Sequence, residues 1–347
     1  MMQRVLSIVS GFIGCVALVL CCVVRSDAQT PPDDFRPLRP EIEQFIAYMV
    51  HSNGFDSHEL RTLFLQTQPS QGVMRAISAP TTSKPWYEFK PLFVDAGRVA
   101  GGVKFWADNA DVLARASNEF GVPEPIIVAL IGIETRYGRQ TGGYRVMDAL
   151  TTLAFDWPAR GDYFRAELEE FLLLSREQHW DPLSVRGSFA GAMGLPQFMP
   201  RSYRRHALDY NGDGHIDLWA SPADVVGSVA GYLRFFGWKP GDPVAAPARV
   251  DAVDPQPLLD VGLKPTLTID EWRTRGATGL EPLRPDLVAC LFSVDLVGGP
   301  EYWFGFDNFY ALLQYNRSRN YAMAVIELAH EISLERDRLA AGIPPAQ

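Results

Sequence analysis

The sequence predicts a mainly helical α+β protein that carries a small antiparallel β insertion. Three observations lead there. Apolar residues recur at helical spacing from residue 41 to residue 238 and again after residue 306. Between those stretches, residues 239–306 are rich in proline and glycine and hold short strand-like runs, "DLVACLFSVDLV" and "EYWFGF". The composition is that of an ordinary globular chain: 347 residues, 47% hydrophobic and 21% charged, long enough for a large core.

Taken in order, the chain opens with "MMQRVLSIVSGFIGCVALVLCCVVRSDAQ". An early arginine precedes an apolar run over residues 5–24, and Ser26 and Ala28 follow at the spacing of a signal-peptidase site. Residues 1–28 are therefore expected to be a cleaved signal, and the protein to be exported to the periplasm. An uncleaved membrane anchor is the alternative, because the run is long for a signal. Cleavage would remove Cys15, Cys21 and Cys22 and leave Cys290 alone, with no internal disulfide and no thiolate metal cluster. A formal charge of −9 argues against nucleic acid or polyphosphate as a partner. No Gly-rich phosphate loop or Ser–His–Asp spacing is present, so no organic cofactor is expected, and nothing in the chain asks for more than a monomer.

Residues 29–101 read as a proline-rich lead-in and an N-terminal helical domain. "EIEQFIAYMVHSNG" and "DSHELRTLFLQTQ" have helical spacing, the second capped by Asp56 or Ser57. "KPWYEFKPLF" reads as an irregular or extended link. Residues 102–238 form the central helical unit, with helical spacing resuming at Gly102. Residues 239–306 are the β-rich insertion, and residues 307–347 return to helices that rejoin the body before a frayed tail.

Within the central unit, "PEPIIVALIGIETRYG" reads as a short apolar helix with Pro125 at its first position and Gly138 at its end. Ile127, Leu130, Ile131 and Glu134 fall at i, i+3, i+4 and i+7, which puts Glu134 on the apolar, core-facing stripe. Burial and the negative end of the helix dipole both disfavour its ionised form. A carboxylic acid protonated near neutral pH can donate a proton. The plainer reading is a structural glutamate paired with Arg136 or Arg139.

Further on, "SFAGAMGLPQFMPRSYRRHA" sets two small polar handles, Ser188 and Gln197, in an apolar, Gly-rich wall suited to reading hydroxyls and amides. A tightly packed corner would look the same. "LDYNGDGHIDLWASPAD" then places Asp209, Asn211 and Asp213 at positions 1, 3 and 5 of an EF-hand loop, with Gly214 at 6 and the His215 carbonyl at 7. Position 12 is Ala220, so the closing acid falls to Asp224 in a longer loop, with Asp217 acting through water. The expected cation is structural. Late aromatics are dense: Tyr232, Trp238, Tyr302, Trp303, Tyr310, Tyr315 and Tyr321, with Asn316 beside Tyr315. Aromatic faces next to amides suit sugar rings.

"GIETRYGR", "SFAGAMGLPQFMPRSY", "DYNGDGHIDLW" and "QYNRSRNYA", in this order and at these separations, resemble the bacterial lytic murein transglycosylases of the membrane-bound B type. The resemblance covers residues 37–334. It implies a lysozyme-like helical core and a single catalytic acid/base, Glu134, acting on the β-1,4 bond between N-acetylmuramic acid and N-acetylglucosamine and leaving 1,6-anhydro ends. It implies that Ser188, Gln197, Tyr232, Tyr315, Asn316 and Tyr321 line a sugar cleft, and that the aspartate loop holds calcium through Asp209, Asn211, Asp213, His215 and Asp224. Peptidoglycan glycan strands are the implied partner, with cell-wall synthesis or remodelling proteins as candidates beyond them. Two positions depart from the family pattern: Gly231 stands where asparagine is common, and Pro196 precedes Gln197 where glycine is usual. A hydrolytic muramidase is the nearest alternative and needs a second carboxylate, for which Asp148, Asp156 and Asp162 are available. A non-catalytic, calcium-bearing murein-binding scaffold is the other.

Overall fold

The structure is a computed structural model and describes residues 37–79 and 84–343; the expected signal, with Cys15, Cys21 and Cys22, falls outside them. Four helices lead: α1 (Pro40–Asn53), α2 (Ser57–Leu65), α3 (Gln71–Ile77) and α4 (Trp86–Phe93). In α1 the buried side chains are Ile42, Phe45, Ile46 and Met49, one stripe of an amphipathic helix. Asp56 caps α2 by accepting the Glu59 amide at 2.9 Å, and Ser70 caps α3. The segment read as an extended link is α4, a helix with Pro91 inside it. Trp86 and Phe89, three residues apart, are both buried, and that anchoring outweighs the hydrogen bond lost at Pro91.

The next helices are α5 (Ala96–Asp108), α6 (Ala110–Phe120) and α7 (Glu124–Thr135). Helix α5 begins six residues before the expected Gly102, because Asp95 caps it by accepting the Arg98 amide at 3.0 Å. A two-residue strand, β1 (Tyr144–Arg145), leads into α8 (Val146–Asp156) and α9 (Gly161–Glu177); β2 (Arg186–Gly187) then pairs antiparallel with β1. Helices α10 (Pro200–His206) and α11 (Pro222–Phe235) complete this part.

The insertion follows: β3 (Ala245–Val250), α12 (Gln256–Leu259), β4 (Leu267–Thr268), α13 (Ile269–Thr274), β5 (Ala277–Gly279), β6 (Val288–Leu296) and β7 (Gly299–Gly305). The strands make a five-stranded sheet in the order β4-β6-β7-β3-β5, antiparallel at every pairing. Strand β6 is buried from Ala289 to Val294, and its alternation divides those residues between two cores. Cys290, Phe292 and Val294 join the main helical core, while Ala289 and Leu291 join a smaller cluster around Trp272 and Phe304. Cys290 is a free buried thiol, pushed up to about 12 by burial and so inert as a nucleophile.

The chain re-enters the helical body as α14 (Asp307–Tyr315) and α15 (Arg319–Ala340). Phe309 stacks on Phe292 at 4.5 Å, tying α14 to the sheet. From Leu38 onward the protein is one compact unit, and side chains of α1 to α11, α14 and α15 share the main core across the expected borders at 101 and 306. Among the described residues no helix is long and apolar enough to cross a membrane.

The smaller cluster depends on Trp272, fully buried, whose indole N–H donates to the Ala289 carbonyl at 3.0 Å. Trp272→Ala should cost about 3–5 kcal/mol in denaturant unfolding. Hydrogen exchange should show the lost protection concentrated in β4, β5 and α13, with α7 still protected.

Candidate active site

Helix α7 is apolar almost all round, with Ile126 to Ile133 buried, which makes it an interior helix. Pro125 lies at its second position, after Glu124. The helix ends at Thr135, three residues before Gly138. Arg136 and Tyr137 both adopt left-handed backbone, with φ of 50° and 60°, and Gly138 follows at 86°. Two such non-glycine residues in a row cost roughly 1–3 kcal/mol each unless neighbours hold them.

The neighbours are specific. Buried Arg98 donates from Nε to the Gly132 carbonyl at 3.1 Å, capping α7 with a cation at its negative end. The Tyr137 hydroxyl donates to the Arg98 carbonyl at 2.9 Å. Asp95 pairs with Arg98 at 2.8 Å and with Arg136 at 3.1 Å. Burial opposes the charge on Asp95, but the Arg98 amide and the two guanidiniums outweigh it and hold its pKa below the usual carboxylate value. Tyr137 also lies against Gly132, where a Cβ would come within 2.4 Å of the tyrosine oxygen. Thr135 donates to the Leu195 carbonyl at 3.0 Å, fastening the same turn to the glycine-rich loop.

This hook fixes the end of α7, where Glu134 stands half-buried one residue before Thr135. Arg136 is engaged with Asp95, so the structural pairing weighed for Glu134 is not the one found. Instead Glu134 accepts a hydrogen bond from the Tyr321 hydroxyl at 2.5 Å. Burial raises its pKa from 4.5 to about 7, and the tyrosine bond pulls weakly the other way. Tyr315 and Tyr321 are themselves pushed well above 10, chiefly by burial and then by Glu134, so both stay protonated donors.

A row of aromatic rings extends from the acid. Tyr321 and Tyr315 lie nearly parallel at 6.5 Å, and Tyr315 meets Tyr232 at 4.9 Å. Phe198, which the sequence reading missed, packs on Tyr232 at 5.3 Å and Tyr315 at 5.9 Å. The Tyr315 hydroxyl donates to the Pro196 carbonyl at 2.6 Å, and Tyr232 donates to the Gln314 carbonyl at 2.8 Å. Ser188 and Gln197 lie on the loop that carries Pro196. Ser188 Oγ accepts the Ala190 and Ala192 amides, while Gln197, at φ 51°, donates to the Thr141 and Gly194 carbonyls. Both thus shape the loop they stand on. Asn316 is exposed beside Tyr315. Trp238, Tyr302 and Trp303 are elsewhere: Trp238 is a core residue bonded to the Gly121 carbonyl, and the other two belong to β7.

The three aspartates available as a second carboxylate are engaged away from Glu134. Asp148 pairs with Arg145 at 2.8 Å, Asp156 with Arg39 at 2.5 Å, and Asp162 with Arg165.

In the aspartate loop, Asp209 accepts the Gly212, Asp213 and Gly214 amides, and Asp213 accepts the His215 amide. These bonds curl the loop around its own carboxylates, as an EF-hand loop requires. Asp224, expected among the ligands, is fully buried, and its two oxygens accept the Tyr210, Asn211 and Asp217 amides, so here it braces the loop. Asp217 accepts the Trp219 and Ala220 amides. Among the described residues no three His, Cys, Asp or Glu side chains converge as a metal cluster. A cation would rely on two outer carboxylates, Asp209 and Asp213, with the Asn211 amide oxygen and the His215 carbonyl.

The Transglycosylase SLT domain family matches residues 37–330. The chain belongs to this family. Membrane-bound lytic murein transglycosylase B of Escherichia coli (strain K12) is 44% identical over 307 residues, spanning 86% of this chain and 84% of that protein. The catenated lytic transglycosylase SltB1 from Pseudomonas aeruginosa superposes with a TM-score of 0.82 at 47% identity, over 86% of this chain and 99% of the other. The Escherichia coli lytic transglycosylase Slt35, solved in complex with calcium, gives 0.78 at 43% identity, over 86% and 94%. The transglycosylase family fold is thus present over most of the chain, with the mainly helical body and small antiparallel sheet described above.

The raised pKa of Glu134 has a stability consequence. Between pH 4.5 and 7 the unfolded glutamate ionises while the folded one keeps its proton, so stability falls as pH rises through that window. Above pH 7 both forms are ionised and the deficit stays constant at about 3 kcal/mol. Glu134→Gln, which keeps an acceptor for Tyr321, should match the parent near pH 4 and exceed it by that amount at pH 8. Denaturant melts at the two pH values measure the difference.

Proposed function

We propose that the protein is a peptidoglycan lytic transglycosylase that uses Glu134 as its only acid/base. The observation that carries this reading is a half-buried carboxylic acid whose pKa desolvation raises to about 7, bonded to a tyrosine, with no carboxylate among the groups that shift it. A group whose pKa lies near working pH can give a proton and then take one back.

The chemistry follows from that single group. Protonated Glu134 gives its proton to the glycosidic oxygen of the β-1,4 bond between N-acetylmuramic acid and N-acetylglucosamine, and the bond to C1 breaks. The acetamido oxygen of the muramic acid assists at C1, in the place where other glycosidases set a second carboxylate. The Glu134 carboxylate, held by the Tyr321 hydroxyl, then takes the proton from the C6 hydroxyl. That oxygen bonds to C1 and closes the 1,6-anhydro ring. No water is consumed and the glutamate ends protonated, ready for another bond. Tyr232, Tyr315 and Tyr321, with Phe198, offer faces for the sugar rings, and Ser188, Gln197 and Asn316 offer polar groups at the rim.

The aspartate loop is proposed as a structural calcium site formed by Asp209, Asn211, Asp213 and the His215 carbonyl, with buried Asp224 bracing the loop from behind through the Tyr210, Asn211 and Asp217 amides. The calcium complex of Slt35 supports this reading. The cation would stiffen the loop between α10 and α11, and α11 carries Tyr232. The proposed setting is the periplasm, against the cell wall.

Mass spectrometry of material released from purified murein tests the reaction. Products should carry anhydro ends, one water lighter than hydrolytic products, and should vanish with Glu134→Gln. Reducing ends would establish a muramidase instead. Because the acid form starts the reaction, kcat/KM should fall about tenfold per pH unit above 7. Calcium should raise the melting temperature by a few degrees over a chelator, and Asp213→Ala should abolish that gain. Equal melting with calcium and chelator would overturn the metal site.

A further inference from the structure

The row of rings that begins beside Glu134 does not stop at Tyr232. His206, the last residue of α10, meets Tyr232 edge-on at 5.3 Å, and Phe236 lies against the same tyrosine at 4.5 Å. Phe235, the last residue of α11, packs on His206 at 4.5 Å and on Phe236 at 5.1 Å. Ring contacts thus run unbroken from Tyr321, bonded to Glu134, through Tyr315 and Tyr232 to the ends of two helices.

The row emerges from the core at its far end. Tyr321 and Tyr232 are buried, whereas Phe235 is 69% exposed, the only exposed phenylalanine or tryptophan among the described residues. A lone exposed ring needs no explanation, but this one is the open end of a packed series. His206 supplies a polar group there. Its half-buried imidazole makes no hydrogen bond among the described residues. Burial, with the nearby Arg205 guanidinium, holds its pKa below the usual histidine value. At neutral pH the ring therefore carries one donor and one acceptor. A phenyl face next to an unbonded imidazole suits a sugar, which has an apolar C–H face and a polar rim.

We propose that Phe235 and His206 form an outer sugar subsite, which stacks and hydrogen-bonds a ring of the glycan strand beyond the two that flank the cleaved bond. The proposal rests on the peptidoglycan reading above and deepens it. The occupant is a sugar rather than a protein because this surface is continuous with the tyrosines offered to the sugars at the acid. The enzyme then favours strands long enough to reach Phe235 over short fragments, since only the longer strands gain that contact.

The test compares kcat/KM per cleavable bond on peptide-free glycan octasaccharides with that on tetrasaccharides. The wild-type ratio should exceed one, and F235A should lower it about three- to tenfold, the worth of one ring contact. F235W should keep the ratio, and F235L, apolar but without a ring face, should lose it. A wild-type ratio of one, a ratio unchanged in F235A, or a ratio kept in F235L overturns the proposal. Calorimetry with the octasaccharide in the Glu134→Gln background reads the subsite without chemistry. Binding weakened by F235A supports the subsite, and equal binding overturns it. Were Phe235 a contact between copies of the chain, F235A would alter sedimentation of the free protein and leave the ratio alone, which also overturns the proposal. Reducing-end products with the length preference intact would sink the transglycosylase reading and leave the subsite standing.

Discussion

The site depends on how helix α7 stops. An interior helix that ended in a relaxed way would carry Glu134 along its axis into the core or release it to solvent. Here the backbone turns sharply through Arg136 and Tyr137 in left-handed conformations, and the cost of that turn is offset by Arg98 and Asp95. Arg98 joins three elements at once: its guanidinium binds the α7 carbonyl at Gly132, the Leu92 carbonyl in the last turn of α4, and Asp95 at the start of α5. A buried arginine is expensive unless acceptors meet it, and two carbonyls and a carboxylate do so here. The position of Glu134 is thus set by a network centred outside its own helix.

The same arrangement explains how one carboxyl can hold or release its proton near neutral pH. Burial alone would hold Glu134 as an acid and make the ionised form costly. The Tyr321 hydroxyl, kept protonated by its own burial, donates to that ionised form and limits the cost. The two effects oppose each other and leave the pKa near 7, between donor and acceptor. A neighbouring carboxylate would push it higher still, and Asp148, Asp156 and Asp162 are each neutralised by an arginine elsewhere.

How much of this was legible in the sequence depended on range. Glu134 could be found because helical periodicity is a local property, and its apolar stripe lies within one helix. Strand β6 was legible for the same reason, as a run of alternating side chains. Helix α4 was not: Pro85 and Pro91 speak against a helix, and only the burial of Trp86 and Phe89 against distant partners decides for it. The end of α7 was misplaced because Gly138 is the obvious stop, whereas the true turn is enforced by Arg98, 34 residues upstream of Gly132. Arg98 itself reads as an ordinary polar residue of an amphipathic helix. Phe198 was hidden among core-like apolar residues, since no spacing separates a ring facing the cleft from one facing the core. Ser188 and Gln197 were visible as polar residues, but their bonds to their own loop were not.

The insertion of a sheet between α11 and α14 follows the same logic. Tyr315 and Tyr321 must reach an acid on α7 from a part of the chain some 180 residues away, and loop closure over that length selects no particular geometry by itself. Strand β6 supplies the geometry by facing two ways: Phe292 stacks on Phe309 of α14, while Leu291 and Ala289 lock into the cluster around Trp272. Helix α14 is thereby fixed at its start by the sheet and at its end by the Tyr315 bond to Pro196, and the short link that follows starts α15 where Tyr321 meets Glu134.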